Sequence, residues 1–109
     1  MTKYKAKRTE GPNGRIYASK REANRALELE LLRIAGKIQS LQEQVSYTLL
    51  PASPRLGYKQ PLRYVADFLY FDVEKNDWII EDVKGFATPV YKLKKRMMAQ
   101  LEGVEIVEV

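Results

Sequence analysis

The segment YVADFLYFDVEKNDWIIEDVKG, residues 64–85, contains two apolar runs separated by a short polar stretch. The first run belongs to a predicted strand over residues 62–73, which is rich in β-branched and aromatic side chains. Residues 74–77 predict a turn, and residues 78–84 predict a second strand. That second strand begins with apolar residues and ends with two acids and a lysine. A buried charge is costly unless it is paired, hydrogen-bonded or bound to a metal, so the charged end of this second strand needs an explanation.

Antiparallel pairing of the two strands would bring three charged side chains together. Side chains alternate between the faces of a strand, so Asp82 and Lys84 share one face and Glu81 points to the other. A turn at residues 74–77 places Asp67 opposite Lys84, with Asp82 as a diagonal neighbour. A slip of one residue would separate these groups, so the prediction depends on the register.

Two carboxylates beside a lysine indicate either a metal site or an ordinary ion pair. Carboxylates repel one another unless a cation lies between them, and Mg²⁺ prefers one or two carboxylates, waters and phosphate oxygens. A metal held by Asp67 and Asp82 would polarise a phosphodiester and activate a water, while Lys84 would offset developing charge. The alternative is a cross-strand Lys84–Asp67 pair at the surface, worth about 0–1 kcal/mol. Spacing alone leaves both interpretations open.

The rest of the chain predicts helices and strands around this pair. The Asn13-Gly14 dipeptide predicts a hairpin within the basic segment 1–18. A capping box from Ser19 to Glu22 begins a helix over residues 19–35. Thr88-Pro89 begins a second helix. With a strand before Pro51 and one over 104–109, the order is hairpin-αβββαβ. It predicts one α/β domain over 1–109, with a mixed central sheet flanked by helices. One apolar stripe is expected on the first helix, formed by Ala23, Ala26, Leu27, Leu31 and Ile34.

The missing residue types limit the chemistry. The chain of 109 residues contains no cysteine and no histidine, which excludes cysteine nucleophiles, Ser-His-Asp triads, thiolate zinc sites and histidine acid–base catalysis. No apolar run approaches the roughly 20 residues that a membrane span requires. The basic N-terminus lacks the apolar segment of a signal peptide, so a cytoplasmic location is expected.

Positive charge is concentrated at one end. The formal net charge is +5, and residues 1–25 hold eight basic residues against two acidic ones. Such an end often marks a polyanion partner, although a solvated tail would have the same composition. Contacts with phosphates would be salt-sensitive and largely independent of sequence. The cations expected to contact DNA are Lys5, Lys7, Arg8, Arg15, Lys20, Lys92, Lys94 and Lys95; those of the second helix could equally form its solvated face.

Asp67 followed fifteen residues later by Asp82-Val83-Lys84 resembles the PD-(D/E)XK nuclease signature, with Ala66 in place of the often-replaced proline. The segments SKREANRALELELL, YVADFLY, EDVKG and TPVYKLKKRMM also resemble a family of small phage-encoded proteins assigned to that superfamily. The resemblance covers roughly residues 3–109. It implies a Mg²⁺-dependent DNA endonuclease in which Mn²⁺ would substitute. Asp67, Asp82 and the Val83 carbonyl would bind metal, and Lys84 would be the catalytic lysine.

The same resemblance assigns a role to two polar residues outside the two strands. Glu22 corresponds to the helix glutamate that helps such nucleases hold metal or water, although a capping box would explain it equally. Gln44 stands where related nucleases sometimes carry a polar helper.

The expected setting is a phage homodimer acting on branched DNA, similar to Holliday-junction resolvases, during recombination or packaging. A catalytically silent nucleic-acid-binding protein, or a structural phage protein with an ion-pair network, remains an alternative.

Overall fold

The computed structural model describes residues 8–83 and 87–109, and its elements follow the predicted order. An N-terminal hairpin precedes a helix, three antiparallel strands, a second helix that continues into one π-helical turn, and a short final strand. None of the helices in the described ranges has the length and apolar character that a membrane crossing requires. The elements are β1 (Thr9–Glu10), β2 (Ile16–Tyr17), α1 (Lys20–Ile34), β3 (Ile38–Leu50), β4 (Leu62–Asp72), β5 (Asp77–Asp82), α2 (Pro89–Met97), its π turn (Met98–Glu102) and β6 (Ile106–Glu108).

The central sheet has four strands in the order β3-β4-β5-β6. Its first two pairs are antiparallel and β5–β6 is parallel, which confirms the predicted mixed α/β sheet. One core lies between α1 and the sheet and includes Leu29 and Phe68. A second core, on the opposite face, joins Ile80 to α2 through Tyr91. The two helices therefore cover opposite faces of the sheet.

The register between β4 and β5 differs from the predicted one. Phe71 pairs with Trp78, and Phe68 pairs with Glu81, so the strands are displaced by two residues from the expected alignment. The predicted pairing of Asp67 with Lys84 is wrong: continued past Phe68, the observed register sets Asp67 across from Asp82. The cause is the turn, which occupies residues 73–76 rather than 74–77 and ends at Asn76 in the left-handed conformation (φ 54°). A shift of two residues preserves the faces, so the acids stay together.

In the β3–β4 pair, the alternation of side chains between the two faces of the sheet is interrupted, at Gln44 in β3 and at Asp67 in β4. We call this interruption the exchange of faces. Ala66 and Phe68 lie two positions apart and would normally share a face, yet Ala66 belongs to the α2-side core and Phe68 to the α1-side core. Across from this break, Gln44 has a left-handed conformation (φ 53°) between the residues that pair with Ala66 and Phe68. Such irregularities bend strands and re-aim side chains, often beside active sites. Asp67 stands at the break.

The apolar stripe of α1 is only partly buried. Ala23 and Ala26 are buried, together with Leu29. The larger members of the stripe lie at the surface, since Leu27, Leu31 and Ile34 are 50%, 58% and 68% exposed. The helix lies close to the sheet on a face of small residues, which turns the neighbouring line of larger side chains outward.

The N-terminal hairpin is held by one close contact. Gly11 accepts no larger residue, since a Cβ built there would lie 2.3 Å from the ring of the buried Tyr17. The Tyr17 hydroxyl in turn donates a 2.6 Å hydrogen bond to Glu43 of β3. Through these contacts the hairpin is fixed to the start of the sheet.

Candidate functional site

Asp67 is the centre of the candidate site. Its Oδ2 accepts a 2.8 Å hydrogen bond from the Val83 N–H, and its Oδ1 accepts one of 3.3 Å from Gln44 Nε2. Its carboxyl also lies within hydrogen-bonding reach of both Asp82 and Glu22. Asp82 from the neighbouring strand and Glu22 from α1 therefore each lie close to Asp67, where the sheet exchanges faces.

Asp82 enters the site from the end of β5 and is 1% exposed. The buried Tyr64 hydroxyl donates a 2.5 Å hydrogen bond to its Oδ2. Desolvation and the neighbouring Asp82 raise the pKa of Tyr64, so the hydroxyl stays a donor. Tyr64 is a buried core residue, and it also holds an acid of the candidate site in place.

Glu22 forms one half of the predicted capping box, and its side chain turns toward Asp67. Its backbone N–H donates a 3.1 Å hydrogen bond to Ser19 Oγ, so Ser19 caps α1 as predicted. Glu22 is 8% exposed, and in the described structure its carboxyl reaches Asp67 instead of completing a capping box on the Ser19 amide. The cap thus fixes the first turn of α1, and that turn directs the Glu22 carboxyl toward the other acids.

Electrostatics within the site favour binding of a cation. Burial raises the pKa of the Asp67 carboxyl above its usual range, while hydrogen bonds from the Asp82 side chain and the Val83 N–H oppose the rise. The charge of Glu22 raises that pKa further. A divalent cation would relieve the desolvation and the repulsion together, because it interacts favourably with every ionised carboxylate around it.

The donor set suits a hard, oxygen-binding metal such as Mg²⁺. Two carboxylates and a carbonyl leave coordination positions for water and substrate, which is how Mg²⁺ is usually held. Asp67 and Asp82 would be the ligands, with the Val83 carbonyl as the third. Asp67 is close to Asp82 and to Glu22, but within residues 8–83 and 87–109 no three acidic side chains form a group that could hold a metal ion together.

The predicted basic residues lie in different parts of the molecule. Lys20 lines a cleft of about 540 Å³ between α1 and the ends of β5 and β6, together with Arg21, Asn24, Arg25, Glu28, Val83 and Val109. Arg8 and Arg15 are exposed on the hairpin, where Arg15 Nε lies 3.7 Å from Glu43. On α2, Lys95 Nζ lies 3.3 Å from Glu108. Three predicted site residues fall outside the described ranges: Lys5, Lys7 and Lys84. Lys92 is exposed and Lys94 half-buried on α2.

An ion pair between α1 and β5 was not foreseen from the sequence. Glu81 is 1% exposed and accepts hydrogen bonds of 2.8 Å and 2.6 Å from Arg25. Tyr70 donates a further hydrogen bond to the same carboxylate. Glu81 points away from Asp82, as the alternation of side chains predicted. Its position directly after the apolar Ile80 was the sequence signal for a basic partner, because a buried charge needs one. The pair holds α1 against β5 directly beside the candidate site.

Taken together, the fold is a mixed α/β sheet with two helices and a cluster of acids at the end of a central strand pair. The chain belongs to DUF1064, a protein family of unknown function, whose family model matches residues 1–106. No curated protein and no solved structure matches the chain.

Proposed function

We propose that this protein is a metal-dependent endodeoxyribonuclease of the PD-(D/E)XK type. The observation that supports it most directly is the contact between the Asp67 and Asp82 carboxyl groups, contributed by neighbouring strands and lying beside the Val83 N–H. Acids brought so close are electrostatically unfavourable by themselves, and a function that requires a divalent cation would explain them. When bound, the metal supplies Lewis-acid activation of a phosphodiester and of water.

Each residue then has a defined task in the proposed reaction. Asp67 and Asp82 hold the cation, and Tyr64 keeps the Asp82 carboxyl oriented. Glu22 positions the attacking water by hydrogen bonding from the first turn of α1. Lys84 offsets charge on the scissile phosphate, as the sequence motif implies. Lys20 and Arg21 line the adjoining cleft and would neutralise flanking phosphates.

The proposal extends to the setting that the sequence implied. The substrate would be branched or otherwise structured DNA, handled during phage recombination or packaging in the cytoplasm of the bacterial host. Because one such site cuts one strand, two copies acting as a homodimer would make paired cuts. The alternative function is a nuclease-fold protein that binds nucleic acid without cutting it. That alternative would use the basic residues to bind nucleic acid, but it would give the acidic residues Asp67 and Asp82 no role.

The test is a cleavage assay with labelled duplex, flap, four-way-junction and single-stranded DNA in Mg²⁺ or Mn²⁺. We expect cleavage of at least one substrate by the wild-type protein and its loss in Asp82→Asn and Lys84→Ala. The exposed turn variant Glu74→Gln is a matched control that should retain activity. Cleavage that persists in Asp82→Asn would remove this site from the reaction. Binding without cleavage in every metal would favour the silent alternative.

A further inference from the structure

The β3–β4 pair extends well past the rest of the sheet. β4 pairs with β5 only from Phe68 to Asp72, whereas residues 62–66 pair with β3 alone. At about 3.3 Å per residue, this extension adds about 17 Å before the connecting loop begins. We refer to residues 45–66, the extended strand ends and their loop, as the ribbon.

One face of the ribbon is covered and the other is bare. Tyr64 and Leu49 are buried against the α2-side core. On the opposite face, Ser46, Thr48 and Arg63 are exposed, and Val65 is 47% exposed. This bare face looks to the same side of the sheet as α1, and it begins directly beside Asp67.

The charge on the ribbon has one sign. Between Glu43 and Asp67 the sequence contains no acidic residue and three basic ones, Arg55, Lys59 and Arg63, all of them exposed. The ribbon is thus an extended positive surface attached to a cluster of acids. Some charges elsewhere on the described surface are paired locally, as Arg33 is with Glu30 at 2.5 Å.

The tip of the ribbon is an ordered turn that presents apolar side chains. The backbones of Ser53 and Tyr58 exchange two hydrogen bonds, of 2.7 Å and 3.0 Å. Gly57 has a positive φ of 92°, which closes the turn. Leu56 and Tyr58 are each 67% exposed and lie between Arg55 and Lys59. An ordered tip that exposes apolar side chains between cations is complementary to a ligand that is negatively charged along two edges and apolar between them.

We propose that the ribbon is an arm that binds double-stranded DNA and holds it across the candidate site. Its cations would contact phosphates, while Leu56 and Tyr58 at the tip would enter a groove. The major groove of B-DNA, about 12 Å wide, accepts a two-stranded ribbon. The choice of DNA as the polyanion rests on the proposed function. The charge and shape of the ribbon are observed independently of that function.

The first test compares two variants that each remove two positive charges. Arg55→Gln/Lys59→Gln alters the ribbon, and Lys37→Gln/Lys75→Gln alters exposed cations at the opposite end of the sheet. Fluorescence anisotropy with a labelled duplex, in EDTA to prevent cleavage, gives the Kd over a series of salt concentrations. We expect the ribbon variant to bind more weakly, with a salt slope reduced by about 0.9 for each phosphate that it no longer neutralises. The control should bind like the wild type, and equal weakening in both variants would overturn the proposal.

A second test addresses the tip. Leu56→Ser/Tyr58→Ser changes no charge, so we expect weaker duplex binding with an unchanged salt slope. Circular dichroism would show that these exposed substitutions leave the fold intact. Wild-type duplex affinity in this variant would exclude groove entry by the tip. Tighter binding of single-stranded DNA or RNA than of duplex, with the same dependence on the ribbon, would overturn the assignment of its ligand.

The two proposals fail in distinguishable ways. If the wild-type protein cuts no DNA but the ribbon variants lose duplex binding, the arm stands and the nuclease does not. If the wild-type protein cuts DNA and the ribbon variants bind and cut equally well, the nuclease stands and the arm does not.

Discussion

At the scale of single residues, the buried carboxyl of Asp67 is expected to make the protein less stable. Its carboxyl is desolvated and close to two other acids, and burial raises its pKa. A carboxyl whose pKa is raised by folding favours the folded state at acidic pH, and that contribution is lost as the pH rises through the raised value. At neutral pH the ionised Asp67 therefore opposes folding.

Asp67→Asn is consequently expected to raise the Tm at neutral pH in EDTA. The gain should shrink as the pH falls toward the ordinary carboxyl pKa of 3.8, because both proteins are then neutral at this position. Differential scanning fluorimetry across a pH series measures it, with Glu74→Gln on the exposed turn as the control. Added Mg²⁺ should stabilise the wild type and not the variant. A Tm that falls at neutral pH would contradict this account of Asp67.

Tyr64 is expected to contribute to stability through its hydroxyl. In Tyr64→Phe the buried Asp82 carboxyl loses its 2.5 Å donor, which should lower the free energy of unfolding by about 1–3 kcal/mol. Tyr47 stacks on Tyr64 with ring centroids 6.3 Å apart and is a matched control. Within the described chain its hydroxyl has no hydrogen-bond partner, so Tyr47→Phe should change little. Urea denaturation compares them, and equal effects would contradict the assigned role.

At the scale of elements, the Arg25–Glu81 pair fixes the position of α1 on the sheet. Arg25→Met would leave a carboxylate that is 1% exposed with Tyr70 as its remaining donor. Breaking a buried pair in this way is expected to lower the free energy of unfolding by about 3 kcal/mol. Arg33→Met, which breaks the exposed pair with Glu30 on the same helix, should have no measurable effect. Chemical denaturation of both variants checks the difference.

Element types and ends were predictable because their signals are local. Ser19 and Thr88 cap α1 and α2 as expected, and each hydroxyl accepts a backbone N–H three residues later. The register of β4 and β5 was not predictable, since it depends on which turn residue adopts the left-handed conformation, and Asn76 does so. The convergence of Asp67 and Asp82 survived the error only because the displacement was an even number of residues.

Packing between elements was less accessible to sequence reasoning. In α1 the pattern contains two neighbouring apolar lines, and periodicity cannot say which one meets the sheet. The line with Ala26 and Leu29 does, and the line with Leu31 does not. The exchange of faces at Gln44 was equally hidden, because alternation continues on both sides of it. Gln44 does contact Asp67, and its role as a polar helper stays a prediction.

At the scale of the whole molecule, the exposed line of α1 is relevant to the proposed homodimer. Leu27, Leu31 and Ile34 follow one another at helical spacing and are at least half exposed, which is the pattern of a helix that pairs with another helix. We expect sedimentation to show a dimer whose dissociation is promoted by Leu31→Glu, without loss of helical circular dichroism. A wild-type protein that is monomeric at every concentration would contradict the homodimer.

The exchange of faces at Gln44 and Asp67 also has a mechanical consequence. Past this point the ribbon pairs in the sheet only through its own two strands, so torsion applied at its tip would reach the rest of the sheet through the backbone at Asp67 and through the hydrogen bond from Tyr64 to Asp82. Bending of a bound duplex would therefore act on both candidate metal ligands, on Asp67 through its backbone and on Asp82 through Tyr64. Such a lever would make the geometry of the acids respond to the shape of the DNA as well as to its presence.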